Sequence, residues 1–176
     1  LRVDHVRFDV SALQPENSGS DNDALVQPKI GAAYRLTDSL EVYANYGHGF
    51  HSNDVRAAVN RIDPITGDAT EAQDVLVEGR GGEVGFRYDT LRGFNVTVTA
   101  FELATDSELV FVGDAGTTEP SDPTRRRGVE VNAFYEFTDF LVFDFTAAQA
   151  RGHFRGLPDG ENSITDAHER VAAAGI

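Results

Sequence analysis

Five side chains able to donate or accept hydrogen bonds crowd the stretch "HGFHSNDVR": His48, His51, Asn53, Asp54 and Arg56. Imidazole, amide, carboxylate and guanidinium groups together can contact a polar or charged ligand. The same run can also open a solvated loop, because Asn and Asp bond readily to nearby backbone and so favour turns. A ligand contact is expected at His51, Asn53, Asp54 and Arg56. Arg125-Arg126-Arg127 is the one basic cluster, suited either to an anionic ligand or phosphate or to a plain charge patch at a strand end.

Other chemistries find no support. The five histidines are scattered, there is no cysteine, and the spacings of zinc sites are missing. The serines lie in loops without the context of a nucleophile elbow. "GRGGEVG" has glycines, but no helix follows to hold a phosphate. Neither an enzyme nor a metal site nor a cofactor is expected. A net charge of −14 argues against nucleic acid, whose phosphates need a cationic surface. Much of that charge lies in polar segments, as at Glu16, Asp21, Asp23, Asp63, Asp68, Glu71 and Asp74, where it serves solubility or divalent cations.

The elements that must position these groups read as strands. In "GVEVNAFYEFTDFLVFDFTA", Val129, Val131, Ala133, Tyr135 and Phe137 alternate with Glu130, Asn132, Phe134 and Glu136. After Thr138-Asp139 the alternation resumes with Leu141, Phe143 and Phe145. Period two means one apolar and one mostly polar face. Further strands are expected at Leu1–Val10, Leu25–Arg35 and Leu40–Phe50, in a segment ending "EVGFRY", and in "FNVTVTAFELATDSELVFV" with a bulge near Ala100–Phe101. An eighth strand should start near Arg170.

The connections alternate in length. Ser11–Ala24, His51–Asp74, Gly113–Thr124 and Gly152–Asp166 are long and polar, whereas "LTDS", "DTLRG" and "FTDF" are short. Short turns at one end and long loops at the other fit an outer-membrane barrel better than a sandwich, whose loop lengths scatter. About 10 residues per strand, rising ~3.3 Å each and tilted by about 40°, span the roughly 25 Å apolar band of such a barrel. Tyr34, Tyr88, Tyr135 and Phe137 sit beside the short turns, as interfacial aromatics would. Lys29, Arg35, Glu41, Asn45, Glu83, Arg87, Glu130, Asn132, Glu136 and Asp144 supply the opposite, lumenal phase. No run of apolar residues is long enough for a transmembrane helix, a test that barrel strands escape.

The residues also resemble a known family. "PKIGAAYRLTDSLEVYANYGHGFHSND" is similar to the barrel of TonB-dependent outer-membrane receptors, through Pro28, Lys29, Gly31, Tyr34, Leu40, Tyr43, Tyr46, Gly47, Gly49 and Phe50. "RRRGVEVNAFYEFTDFLVFDFTAAQAR" resembles another of its strand pairs through Arg127, Gly128, Glu130, Thr138, Asp139 and Leu141, with Phe140 where Trp is usual. The resemblance implies an all-β fold, an antiparallel up-and-down meander forming a partial transmembrane β-barrel, about 7–8 strands of a barrel of about 22. Residues 1–176 would be an interior section of that barrel domain, lacking the plug domain with its coupling box and the closing strands.

Function follows as an implication: TonB-dependent uptake of a scarce nutrient such as a ferric siderophore, in the outer membrane of a Gram-negative bacterium. Implied partners are membrane lipid and lipopolysaccharide, the TonB coupling protein through the plug, and a small-molecule metal chelate at the "HGFHSNDVR" mouth. The alternatives are a passive porin or a structural, adhesive barrel. The long segments should lie outside the cell and the short turns in the periplasm. The section alone should form a curved, open sheet with an apolar convex face, because seven or eight strands of a wide barrel leave unpaired edges.

Overall fold

The computed structural model describes residues 1–63, 66–90, 93–107, 109–112, 117–120, 122–158, 160–164 and 169–176, with backbone alone at 109–112 and 117–120. The described elements are β1 (Arg2–Val10), β2 (Gly19–Gln27), β3 (Lys29–Thr37), β4 (Leu40–Ser52), α1 (Val55–Val59), β5 (Leu76–Asp89), β6 (Phe94–Thr105), β7 (Leu109–Val112), β8 (Thr117–Pro120), β9 (Thr124–Thr138), β10 (Leu141–Phe154) and β11 (Arg170–Gly175). They divide between two compact units.

The larger unit, residues 29–47, 80–104 and 123–176, holds a seven-stranded sheet in the order β11-β10-β9-β6-β5-β4-β3. Each strand lies beside the next strand of this sheet along the chain, with β7 and β8 intervening in sequence between β6 and β9, which is the expected meander. Its hairpins close tightly: Thr37 pairs with Leu40 across Asp38-Ser39, and Thr138 with Leu141 across Asp139-Phe140. In the third short connection Gly93 takes φ +72°, a left-handed conformation that glycine adopts without strain, and its carbonyl accepts the Glu136 N–H at 3.0 Å. Leu91 and Arg92 of that connection lie outside the described residues.

Register separates the two faces cleanly. Ile30 opposes Tyr46, Ala32 opposes Ala44, and Tyr135 opposes Phe143, so the apolar phases of neighbouring strands coincide. No second layer covers this phase among the described residues. Ile30 is 74% exposed, Tyr34 68%, Val84 58% and Phe137 59%, values that no soluble sandwich core would tolerate. Near the short turns the same phase carries edge-to-face aromatic contacts, Tyr88–Phe94 at 6.4 Å and Phe94–Tyr135 and Tyr135–Phe137 at 6.0 Å.

The opposite phase is polar and internally bonded. Asn45 donates to Glu83 at 2.8 Å, Arg87 to Glu41 at 3.0 Å and Asn132 to Glu130 at 2.7 Å, while Thr146 donates to Asn132 at 2.9 Å. Tyr43 is the buried aromatic of this face. Its hydroxyl meets Thr99 Oγ1 at 2.5 Å, and the Arg87 guanidinium lies 4.6 Å above its ring. Glycines make the room: a Cβ at Gly85 would lie 2.6 Å from the Tyr43 hydroxyl, and one at Gly128 2.7 Å from the Phe101 ring.

Those two contacts settle the phase of β6. Thr99 and Phe101 both face the polar side, so alternation continues through Ala100 and the expected bulge is not needed. Phe101 is simply an aromatic on the inner phase. The apolar phase also carries a depression. A concavity of about 1180 Å³ crosses the sheet, lined mainly by this phase, because small residues such as Ala32, Ala44, Gly82 and Ala100 lower its floor between Ile30, Tyr46 and Val84.

The smaller unit, residues 1–28, 48–79 and 105–122, revises several boundaries. Leu1–Val10 is not a strand of the large sheet; β1 pairs with β2, from Arg2↔Gln27 to Val10↔Gly19. Much of Ser11–Ala24 is therefore strand and not loop. "GSDNDALVQ" shows little period-two apolarity, so only its backbone pairing reveals it. Pro28, which has no N–H, separates β2 from β3, while its carbonyl accepts from His48 N at 3.0 Å. The segment after Phe94 is likewise two strands, with β7 paired to β8 inside the stretch expected to be loop; Gly113–Gly116 and Ser121 lie outside the described residues. Val59, Val75, Leu76 and Val77 form its small apolar core.

Candidate functional site

The "HGFHSNDVR" residues lie in the smaller unit, where β4 ends and α1 begins. Strand continues through His51 and Ser52, two residues further than periodicity suggests. Asn53 is buried and holds two strand ends together. Its N–H donates to the Val75 carbonyl and its Nδ2 to the Asp74 carbonyl, both at 2.8 Å. Asp54 caps α1 by accepting from the Arg56 N–H at 2.9 Å, and its carboxylate also accepts from the Arg56 guanidinium, in part at 3.0 Å. His48 Nδ1 meets Glu78 Oε1 at 2.7 Å.

The structure thus brings the four residues into one short corner and ties two of them to each other. Two polar atoms of the corner stay buried without a hydrogen-bond partner among the described residues, Nε2 of His51 and Oδ1 of Asn53. A buried polar atom left unpaired is costly. Sequence reasoning missed Asn17, whose side chain donates to the Ile62 carbonyl at 2.8 Å and accepts from the Arg61 and Ile62 N–H groups at 2.9 and 3.0 Å. A polar residue after a turn-prone proline is the only local signal it offers. Among the described residues no cluster of metal-ligating side chains occurs.

The Arg56 hydrogen bond, reinforced by that residue's charge and backbone N–H, holds the Asp54 carboxyl below its ordinary value of 3.8. A depressed carboxylate pKa adds stability above the unfolded value and loses it as pH falls through the folded one. The α1 corner should therefore keep its protease resistance from neutral pH to about 4 and weaken only below 3.8. Pepsin cleavage over 54–60, compared at each pH with Asp54→Asn, checks this; the variant should show no such acid step.

Residues 1–173 match the sequence model of the family described as TonB dependent receptor-like, beta-barrel. The chain belongs to that family. No curated protein matches it in sequence.

Among solved structures, the receptor segment is similar to the ferric yersiniabactin uptake receptor FyuA from Yersinia pestis. Identity is 21% and the TM-score 0.66, over 89% of this chain and 23% of that one. The ferric-catecholate import receptor Fiu from E. coli K12 gives 19% and 0.66, over 89% and 23%. BauA, the ferric preacinetobactin receptor from Acinetobacter baumannii, gives 19% and 0.64, over 98% and 25%. Identities this low establish the fold alone. The chain spans about a quarter of the length of these receptors. An open sheet with β3 and β11 at its edges is what a section of a TonB-dependent receptor barrel should be. The family consists of transport receptors of the Gram-negative outer membrane.

Proposed function

We propose that this chain is wall and external-loop structure of an energy-coupled outer-membrane receptor that imports a ferric siderophore or similar metal chelate. The observation that carries the reading is the two-phase sheet: an uncovered apolar phase with an aromatic row near the short turns, backed by a bonded polar phase. Such a sheet suits a wall between lipid and a protein-filled lumen. The siderophore receptors among its structural neighbours support the substrate class.

In this reading the whole protein carries a plug domain that engages the TonB coupling protein, and the lumenal carboxylates and guanidiniums face that plug. The long polar connections lie outside the cell and the short turns in the periplasm. His51 and Asn53 contact the chelate, while Asp54 and Arg56 shape the corner that presents them. No catalytic step belongs to it.

The test is uptake. A strain lacking the whole gene, starved of iron, should fail to grow on at least one ferric siderophore of a panel that the parent uses. Uptake should stop when a protonophore collapses the inner-membrane gradient. Energy-independent passage of small solutes, with iron uptake intact, would instead indicate a porin.

A further inference from the structure

One buried side chain joins the first and second long connections. Asn17 ends the short 3-10 turn Pro15–Asn17 between β1 and β2 and is only 8% exposed. Its carboxamide offers two N–H donors and two acceptor lone pairs, and all four are used. Nδ2 donates to Gln14 Oε1 at 3.0 Å and to the Ile62 carbonyl at 2.8 Å. Oδ1 accepts from the N–H groups of Arg61 at 2.9 Å and Ile62 at 3.0 Å. The amide thus pairs with both backbone groups of Ile62, as a neighbouring strand would. Aspartate could make only the accepting half and would leave the Ile62 carbonyl facing a carboxylate.

What Asn17 holds is tied in turn to the corner at α1. The Thr70 N–H donates to the Arg61 carbonyl at 2.9 Å, Ile62 bridges to Ala69, and the Gln73 N–H donates to the Ala57 carbonyl of α1 at 3.1 Å. Asn53 bonds Asp74 and Val75 beyond it. Two more contacts reach across from the hairpin. Asp23 Oδ2 accepts from the Leu76 N–H at 3.1 Å, and a Cβ at Gly19 would lie 3.4 Å from Val59 Cγ1. Net charge does not hold the two connections together. The first carries Glu16, Asp21 and Asp23 without a Lys or Arg, and the second carries Asp54, Asp63, Asp68, Glu71 and Asp74 against Arg56 and Arg61. Two acidic segments repel. A neutral, buried amide joins them without adding charge, and salt does not screen its bonds.

We propose that Asn17 is a positioning residue for the corner of His51, Asn53, Asp54 and Arg56: it couples the two connections into one body, so that the corner opens and closes only together with the β1–β2 hairpin. The hydrogen bonds from Asn17 through Arg61, Thr70 and Gln73 to α1 are the contiguous path of that coupling. The proposal rests on the reading of this corner as a ligand mouth for its purpose, while the coupling itself is measured without a chelate.

The experiment uses the full-length receptor in lipid vesicles, with nitroxides on Leu13→Cys and Ala72→Cys, both exposed and one on each connection. Pulsed electron–electron distance measurement should give one narrow distribution for this pair. Adding Asn17→Ala should broaden it severalfold, and the amides of residues 57–62 and 67–73 should exchange with deuterium roughly tenfold faster. Asn17→Asp should do the same, whereas a residue that merely filled space would tolerate the isostere. Ser18→Ala is the control. Its hydroxyl bonds Ala12 within the first connection, so its loss should leave the second at the parent's exchange rates. Protection of β9 and β10 should match the parent in every variant, which shows that the barrel is intact. A broad distribution in the labelled receptor without further substitution overturns the proposal, whether or not the variants fold. Faster exchange confined to Arg61 and Ile62 also overturns it, since Asn17 would then be a local brace. A narrow distribution that Asn17→Ala broadens, in a receptor that takes up no siderophore, leaves the coupling standing while the ligand-mouth reading falls.

Discussion

Replacing Val131 by arginine should destabilise the assembled barrel by about 2–4 kcal/mol, the cost of placing a guanidinium near the bilayer midplane. Val131 opposes Ala147 on the apolar phase, midway between the aromatic residue Tyr135 and the cationic residue Arg127. Its neighbour provides the control. Asn132 lies on the polar phase, donating to Glu130 and accepting from Thr146. Asn132→Lys puts an ammonium beside that carboxylate and should cost under about 1 kcal/mol. Urea unfolding of the whole receptor in lipid vesicles measures both. Equal stability of Val131→Arg and the parent, with Asn132→Lys destabilised, would reverse the faces.

The second large effect is expected at Gly85. A methyl group there would lie 2.5 Å from the Val98 carbonyl oxygen and 2.6 Å from the ring and hydroxyl of Tyr43. Tyr43 cannot swing away without leaving Thr99 and the Arg87 guanidinium. Gly85→Ala should therefore cost about 1–3 kcal/mol through overpacking. Combining it with Tyr43→Ala should relieve the ring contact but not the carbonyl contact, so a double-mutant cycle should give a coupling of about 0.5–3 kcal/mol with residual destabilisation. A neutral Gly85→Ala would show that the Tyr43 pocket is loose.

These positions also show what the sequence made legible. The strand pairs β3–β4 and β9–β10 could be read because strict alternation and a Thr-Asp turn agree with each other, and the observed registers keep both. β2 could not, since Asp21, Asn22 and Asp23 lie in a strand whose pairing is set by backbone alone. The phase of Phe101 was misread because an aromatic on the polar side looks like a slipped alternation until Gly128 is seen to make room for it. His51, Asn53, Asp54 and Arg56 were legible as a cluster, but their division of labour was not. The groups that bond Asn53 belong to Asp74 and Val75, on the far side of the loop. Likewise the triplet Arg125–Arg127 hid its own geometry. Only register shows that Arg126 lies on the other phase from Arg127, and that Arg127 stands opposite Arg151 while bonded to Glu102.

The claim on which the rest depends is that the apolar phase of this sheet meets lipid, and a nitroxide scan of residues 129–137 in the full-length receptor, reconstituted in bilayers, tests it most directly. Collision with oxygen, which partitions into lipid, should peak at Val129, Val131, Ala133 and Tyr135. Collision with a water-soluble nickel chelate should be lowest there, and Glu130, Asn132 and Phe134 should show the weaker oxygen response of a protein-filled lumen. The two profiles would then oscillate with period two and opposite phase. An inverted phase, or oxygen and chelate profiles without alternation, would contradict the account.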